Sequence, residues 1–307
     1  MQGDNRQRWV VFTDLDGTLL NAHDYRWDAA KPALDRLRRL GGALVLNSSK
    51  TRREMVALRD ELGNRHPFVV ENGAAIFTPP GYFEAVPSEV PSGGEIDRGT
   101  PIDAALKKTH DAELEMELLG PPRDQILRLL HRLRADKGWK FEGFADMDSD
   151  AVIRHTGLDR TGAELAQDRM GTEPLLWLDD RHPPGVLAEA LRAEGLRLVA
   201  GGRFWHAMGP TDKGVATRRL LDRYGELARA NGGTVRSIAL GDSANDLEML
   251  RSVDRGVWIP HAHNHSPGER PEPGPVPGSL TAPEPGAAGW RRALDGLLPV
   301  PSSIEKL

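Results

Sequence analysis

Asp14 and Asp16 stand two residues apart in the stretch Val10-Val11-Phe12-Thr13-Asp14-Leu15-Asp16-Gly17-Thr18. Where the chain stays extended, carboxylates at that spacing face the same side and can converge on one ligand. Their repulsion is relieved by a hard cation between them, or by a proton held on one of them. Gly17 permits a backbone turn that a residue with a Cβ resists. The same letters also make a plain turn or a fragment of a calcium loop. The calcium reading fares poorly, because the twelfth position counted from Asp14 is Tyr25 and not a bidentate Glu.

Three more polar clusters follow apolar runs or open helical stretches: Ser48, Lys213, and Asp242 with Asp246. Each alone has an ordinary explanation. Ser48 reads as a helix N-cap, Lys213 as a solvated surface lysine, and Asp242 and Asp246 as turn and helix-start residues. Taken together they supply a nucleophile, an acid/base, metal ligands and phosphate donors, in an order that a parallel sheet can gather at one edge.

The elements that must position them follow from periodicity. Val10 to Phe12 is a short apolar run suited to a buried parallel strand. The pattern predicts helices over 27–40 and 51–62, and strands over 43–46 and 67–70. That is the alternation of a parallel sheet with right-handed crossovers. From Pro79 the rhythm breaks. Helices are expected over 102–119, 123–135, 161–169 and 184–194, with strands over 141–144, 174–178 and 196–200. The first rhythm resumes near Gly201, where Arg203 to Met208 precede a helix over 215–224. A strand over 235–240, a helix from Leu247, a strand over 256–259 and a closing helix over 290–298 complete the expectation. Pro260 to Pro285 is rich in proline and glycine and reads as a flexible loop or lid. His261, His263 and His265 alternate within it and read as polar linker. The fold expected is α/β: a Rossmann-like parallel-sheet core over 1–81 and 202–307, an inserted mixed α+β domain over 82–201, and a loop over 260–286 within the core.

Composition narrows the function. The 307 residues are 39% hydrophobic and 28% charged, with a net charge of −5 and pI near 6.1. That balance disfavours nucleic acid as the main partner. The absence of cysteine excludes disulfides, thiolate catalysis and Cys-ligated metals. No apolar run reaches the ~18 residues of a membrane span. Met1 to Arg8 is polar with no apolar signal region, so a cytoplasmic protein with neither membrane nor nucleic-acid partners is the expectation.

With these residues in view, the chain resembles the haloacid dehalogenase superfamily of phosphohydrolases. Thr13-Asp14-Leu15-Asp16-Gly17-Thr18 looks like its first motif, Ser48 occupies the second, Lys213 the third, and Gly241-Asp242-Ser243-Ala244-Asn245-Asp246 the fourth. The resemblance implies that Asp14 attacks phosphorus to form an aspartyl-phosphate, and that Asp16 protonates the leaving oxygen and then activates water. It implies Mg²⁺ held by Asp14, the backbone carbonyl of Asp16 and Asp242, with Asp246 close by. The insert falls between the second and third motifs, where the superfamily places its larger type of cap.

Finer stretches are similar to the mannosyl-3-phosphoglycerate phosphatases: Asn47-Ser48-Ser49-Lys50-Thr51-Arg52, Glu71-Asn72-Gly73-Ala74, Glu142 to Met147, Thr156-Gly157-Leu158 and Gly201 to His206. A substrate with a phosphate, a carboxylate and a sugar makes an Arg in the cap chemically reasonable, and Arg169 is the choice. Its surroundings, Asp168 to Pro174, depart from the family's usual Gln-Arg-Glu-Tyr-Ser-Glu-Pro at Asp168, Met170 and Gly171, with Thr172 in place of Ser. Ser49, Lys50, Thr172 and Asn245 complete the expected substrate contacts. The function expected is hydrolysis of mannosyl- or glucosyl-3-phosphoglycerate. The alternatives are a hexose-phosphate phosphatase or phosphomutase of the same superfamily, and a catalytically silent binding protein on the same fold.

Overall fold

The computed structural model describes residues 6–84, 114–201, 203–261, 274–275 and 277–300. β1 (Arg6–Thr13) lies inside a parallel sheet with β2 (Ala43–Leu46) on one side and β10 (Gly233–Gly241) on the other. β11 (Arg255–Trp258) and β12 (Leu280–Thr281) extend the far edge. Alternation along β1 sends Val11 to one face and Val10 and Phe12 to the other. The first face packs on α1 (Lys31–Arg39), α2 (Arg52–Leu62) and α9 (Gly286–Leu297). The second packs on α7 (Lys213–Ala230) and α8 (Leu247–Arg251). A strand buried on both faces needs the unbroken apolar run seen here.

The expected third parallel strand is β3 (Phe68–Val70). Its ladder pairing toward β2 is a single parallel bridge from Val69 to Asn47, just past β2, and it forms an antiparallel sheet with β4 (Ala75–Thr78) and β5 (Glu115–Leu118). β5 corrects the expected helix over 102–119, of which residues 102–113 lie outside the described residues. Its Glu, Met and Leu are helix formers, and pairing with β4 overrides that weak preference.

The insert carries a four-stranded antiparallel sheet ordered β6-β7-β9-β8, from β6 (Phe141–Gly143), β7 (Thr172–Trp177), β8 (Arg197–Ala200) and β9 (Trp205–Met208). α3 (Arg123–Lys137) and α6 (Gly185–Ala193) share one core with this sheet; α4 (Ser149–Thr156) and α5 (Arg160–Gln167) share another. β9 was expected with the parallel core, but both its neighbours belong to the insert's sheet, so the division at 202 cuts through that sheet. α4 was not expected; Asp148 caps it and Gly157 ends it in the left-handed conformation. Among the described residues no helix is long and apolar enough to cross a membrane.

Candidate active site

The parallel ladder carries β1 to its carboxyl end and stops at Asp14, whose N–H donates to Leu240 O at 2.9 Å. The chain then turns at Gly17, with φ +81, and a Cβ there would stand 2.4 Å from Asp242 Oδ2. Gly17 is thus needed for the turn and for room beside Asp242. Thr18 Oγ1 donates to Asp242 Oδ1 at 3.0 Å, tying the ends of β1 and β10 together.

Lys213 opens α7, which Asp212 caps through Val215 N–H. Its Nζ reaches Asp14 Oδ1 at 2.5 Å and Asp246 Oδ1 at 2.7 Å, with no part of the lysine side chain exposed. Two contacts fix this helix start. Asn47 Nδ2 donates to Lys213 O at 3.0 Å, and Gly73 packs so closely that a Cβ would meet Asp212 O at 2.2 Å. Asp246 spends its other oxygen on Asp242 N–H, Ser243 N–H and Ser243 Oγ, each at 3.0 Å.

Asp14, Asp242 and Asp246 each offer an oxygen within 4.8 Å of the other two, and all three residues are buried. Burial pushes the Asp14 carboxyl up to about 7; Lys213 opposes the rise, and Asp246 and Asp16 add to it. Burial, then Asp14 and Asp246, hold Asp242 well above the usual carboxylate range. Burial alone would lower Lys213, yet Asp14 and Asp246 more than offset it and raise its pKa. Burial and mutual repulsion of the three carboxyl groups, only partly offset by one ammonium, leave oxygen donors that a cation can take over from protons. Oxygen donors so arranged fit a hard divalent cation.

The Asp16 side chain is not part of this group. It is 42% exposed and pairs with Lys50 Nζ at 2.9 Å, on the open side of the site. Ser48 is buried at the end of β2; its Oγ accepts from Lys50 N–H at 3.2 Å and its carbonyl accepts from Asn72 N–H at 2.9 Å. Asn245 Nδ2 donates to Asn72 Oδ1 at 2.9 Å, beside the same loop. His261 stands with Nδ1 3.6 Å from Asp242 Oδ2, closer to the site than a linker residue would be. His263 and His265 lie outside the described residues.

Arg169 falls just beyond α5 and is almost wholly buried. It donates to Thr172 Oγ1 at 2.8 Å and to the Ser49 carbonyl at 3.2 Å, while its buried Nε has no acceptor. The residue that organises this contact is Glu71, in the turn after β3. One of its oxygens accepts from Met170 N–H at 2.8 Å. The other accepts from Gly171 N–H at 3.2 Å and Thr172 Oγ1 at 2.7 Å, and lies 3.8 Å from Arg169 Nη1. Glu71 has no exposed surface and a positive φ of 52°, followed by Asn72 at 58°. Sequence reasoning gave Glu71 no role; the only signal was its place in the Glu71-Asn72-Gly73-Ala74 stretch.

Residues 11–83 match the family model of haloacid dehalogenase-like hydrolases. A glucosyl-3-phosphoglycerate/mannosyl-3-phosphoglycerate phosphatase of Methanococcoides burtonii is 38% identical over 246 residues, covering 80% of this chain and 82% of that protein. A protein of the same name from Persephonella marina is 36% identical over 292 residues, covering 93% and 95%. Among solved structures, one from Thermoplasma acidophilum is similar in fold, with a TM-score of 0.59 at 14% identity over 94% of this chain and 98% of that one. The chain therefore belongs to the phosphatase family of those two relatives, within the haloacid dehalogenase-like hydrolases, and is a phosphoric monoester hydrolase.

Proposed function

We propose that this phosphatase is Mg²⁺-dependent and hydrolyses glucosyl- or mannosyl-3-phosphoglycerate to the glycosylglycerate and phosphate. The observation that carries the chemistry is the buried group of Asp14, Asp242 and Asp246 around Lys213, drawn from both ends of the chain. The substrate class rests on the two relatives, both named for it and both aligned over more than four-fifths of their length.

In this reading an Asp14 oxygen attacks phosphorus, the ester P–O bond breaks, and Asp16 gives its proton to the departing oxygen. Water then attacks the aspartyl-phosphate; Asp16 takes the proton, Asp14 is regenerated and inorganic phosphate leaves. Lys213 screens the approach of one anion to another and stabilises charge on the transferring group. Ser48 Oγ already accepts from Lys50 N–H, so its own proton is available to a phosphate oxygen. Asp14 and Asp242 would hold Mg²⁺ with the Asp16 carbonyl, and the ion supplies Lewis-acid charge neutralisation at the phosphoryl oxygens. Asp246 has both oxygens engaged and serves chiefly to hold Lys213 and the loop of Asp242. Ser49, Lys50 and Asn245 would meet the glycerate and sugar, beside the buried Arg169 and Thr172 that join the insert to this loop, and residues of the insert there would exclude water during transfer.

Phosphate release measured over glucosyl- and mannosyl-3-phosphoglycerate and plain hexose phosphates, with Mg²⁺ and after chelation, tests the proposal. The glycosyl-phosphoglycerates should be turned over best, and only with the divalent ion. Preference for a hexose phosphate, or a phosphorylated product in place of free phosphate, would overturn the substrate assignment.

A further inference from the structure

Tyr25 is a large aromatic residue that the mechanism above does not use. Its side chain is left in the open, with 54% of its surface exposed, so it fills no core. Its backbone has φ of 54°, the left-handed region that a bulky L-residue rarely occupies. Nevertheless its loop is well built. Asn21 N–H donates to Arg26 O at 3.0 Å, Tyr25 N–H donates to Asn21 O at 3.1 Å, and Arg26 N–H donates to Asp24 Oδ1 at 3.0 Å. From below, Ala287 N–H donates to Asn21 Oδ1 at 3.3 Å and Trp27 Nε1 to Glu61 at 2.7 Å, fastening the loop to α9 and α2. A strained aromatic residue is thus fixed in place and offered to solvent.

Its neighbours give that placement a direction. Lys50 Nζ lies 5.6 Å from the centre of the Tyr25 ring, within range of a cation–π contact. The same ammonium lies 2.9 Å from Asp16 Oδ2. Lys50 therefore links the proposed acid/base carboxylate of Asp16 to the ring of Tyr25. A glycosyl-3-phosphoglycerate has groups that match these three. The bridging oxygen must lie at Asp16 to receive its proton; the carboxylate and the sugar branch together from the next carbon, so they call for a cation and a ring face side by side, as Lys50 and Tyr25 stand. A pyranose turns an apolar C–H face toward an aromatic ring, whose face carries negative charge.

We infer that Tyr25 is the platform on which the sugar ring of the substrate rests, and that it separates glycosylated from bare 3-phosphoglycerate. The inference rests on the proposed substrate class and extends it to one residue of the core. Tyr25 is a binding residue here, with no part in bond making.

The test is steady-state kinetics of the full-length Mg²⁺-loaded enzyme carrying Tyr25→Ala or Tyr25→Phe. Substrates are the glycosylated ester, bare 3-phosphoglycerate and p-nitrophenyl phosphate. Loss of one aromatic contact should raise KM for the glycosylated ester about tenfold in Tyr25→Ala, with kcat little changed. Tyr25→Phe keeps the ring and should match the wild type. Neither variant should alter the constants for the two substrates without a sugar. An unchanged KM for the glycosylated ester would overturn the inference, as would an equal rise for 3-phosphoglycerate, which would mean that Tyr25 acts only through Lys50. A wild-type enzyme inactive on both glycosyl esters would sink the substrate class and the inference together; a fully active but ring-insensitive enzyme sinks the inference alone.

Discussion

Lys213 and Asp246 form a 2.7 Å ion pair in which neither side chain has any exposed surface. Removing one partner of such a pair leaves the other charge buried and uncompensated, which costs about 3–5 kcal/mol. Lys213→Ala should therefore lower the melting temperature as well as activity, with kcat falling by roughly 10²–10³-fold if the ammonium stabilises the transferring group. Thermal melts and phosphate release on the same preparation check both. A stable, fully active variant would remove Lys213 from the mechanism.

Asp14→Asn should abolish turnover and leave a pH signature on stability. The wild-type carboxyl is pushed from 3.8 up to about 7 in the folded protein. Between those values the folded state keeps a proton that the unfolded chain has lost. The stabilisation from this proton is fullest below pH 3.8, falls as pH rises, and is gone above about 7. Metal-free wild type should thus lose stability relative to Asp14→Asn across that window, by no more than about 1.4 kcal/mol per pH unit. Denaturant melts in chelator at pH 5 and pH 8 measure the gap.

Glu71 joins the turn after β3 to the insert, and its variants should separate substrate handling from chemistry. Glu71→Gln replaces one acceptor by a donor facing N–H and O–H groups that are themselves donors. Leaving such buried groups unsatisfied costs about 1–3 kcal/mol. The expected result is at least a tenfold loss in kcat/KM on the glycosylated substrate and a much smaller loss on p-nitrophenyl phosphate. Equal losses on both would mean that Glu71 serves the phosphate site itself.

His66 should make the enzyme acid-sensitive. Its Nδ1 lies 2.6 Å from Tyr82 Oη, which in turn lies 3.0 Å from Tyr224 Oη. Burial, with Arg8, Arg59 and Arg38 nearby, pushes its pKa down from 6.5 to about 3. Below pH 6.5 the unfolded chain gains a proton that the folded protein refuses, so stability present above 6.5 is lost as pH falls toward 3. The slope is at most about 1.4 kcal/mol per pH unit. His66→Gln should flatten the fall between pH 6.5 and 4.5 in denaturant melts; an unchanged slope would assign the acid sensitivity to other groups.

The sequence reveals the parallel core and the residues at its strand ends well, for a physical reason. Asp14, Ser48 and Asp242 each follow a short apolar run after one intervening residue, and such runs bury on both faces and deliver the residues beyond them to the sheet edge. Lys213 is legible only through its companions, since nothing local separates a buried lysine from a solvated one. Glu71 is illegible for the same reason. A charged residue after a strand reads as a solvated turn, and its burial depends on Met170, Gly171 and Thr172, about a hundred positions away. β5 and β9 depart from the expectation because their partners, not their composition, decide their state. Glu115 to Leu118 has helix-forming letters, while Trp205 to Met208 follows a glycine pair that resembles a boundary.

The strand leading to Asp14 has β10 as its neighbour, and Trp290 of α9 donates through Nε1 to Thr13 Oγ1 at 3.0 Å. During synthesis the first of these residues leaves the ribosome long before its partners exist, because the ladder and the carboxylate group join segments more than two hundred positions apart. A nascent chain therefore has no working centre for most of its elongation, whatever local helices it has formed. The core beneath Asp14 is completed only when the α9 segment packs against it, so its assembly waits on contacts between the most distant parts of the described chain.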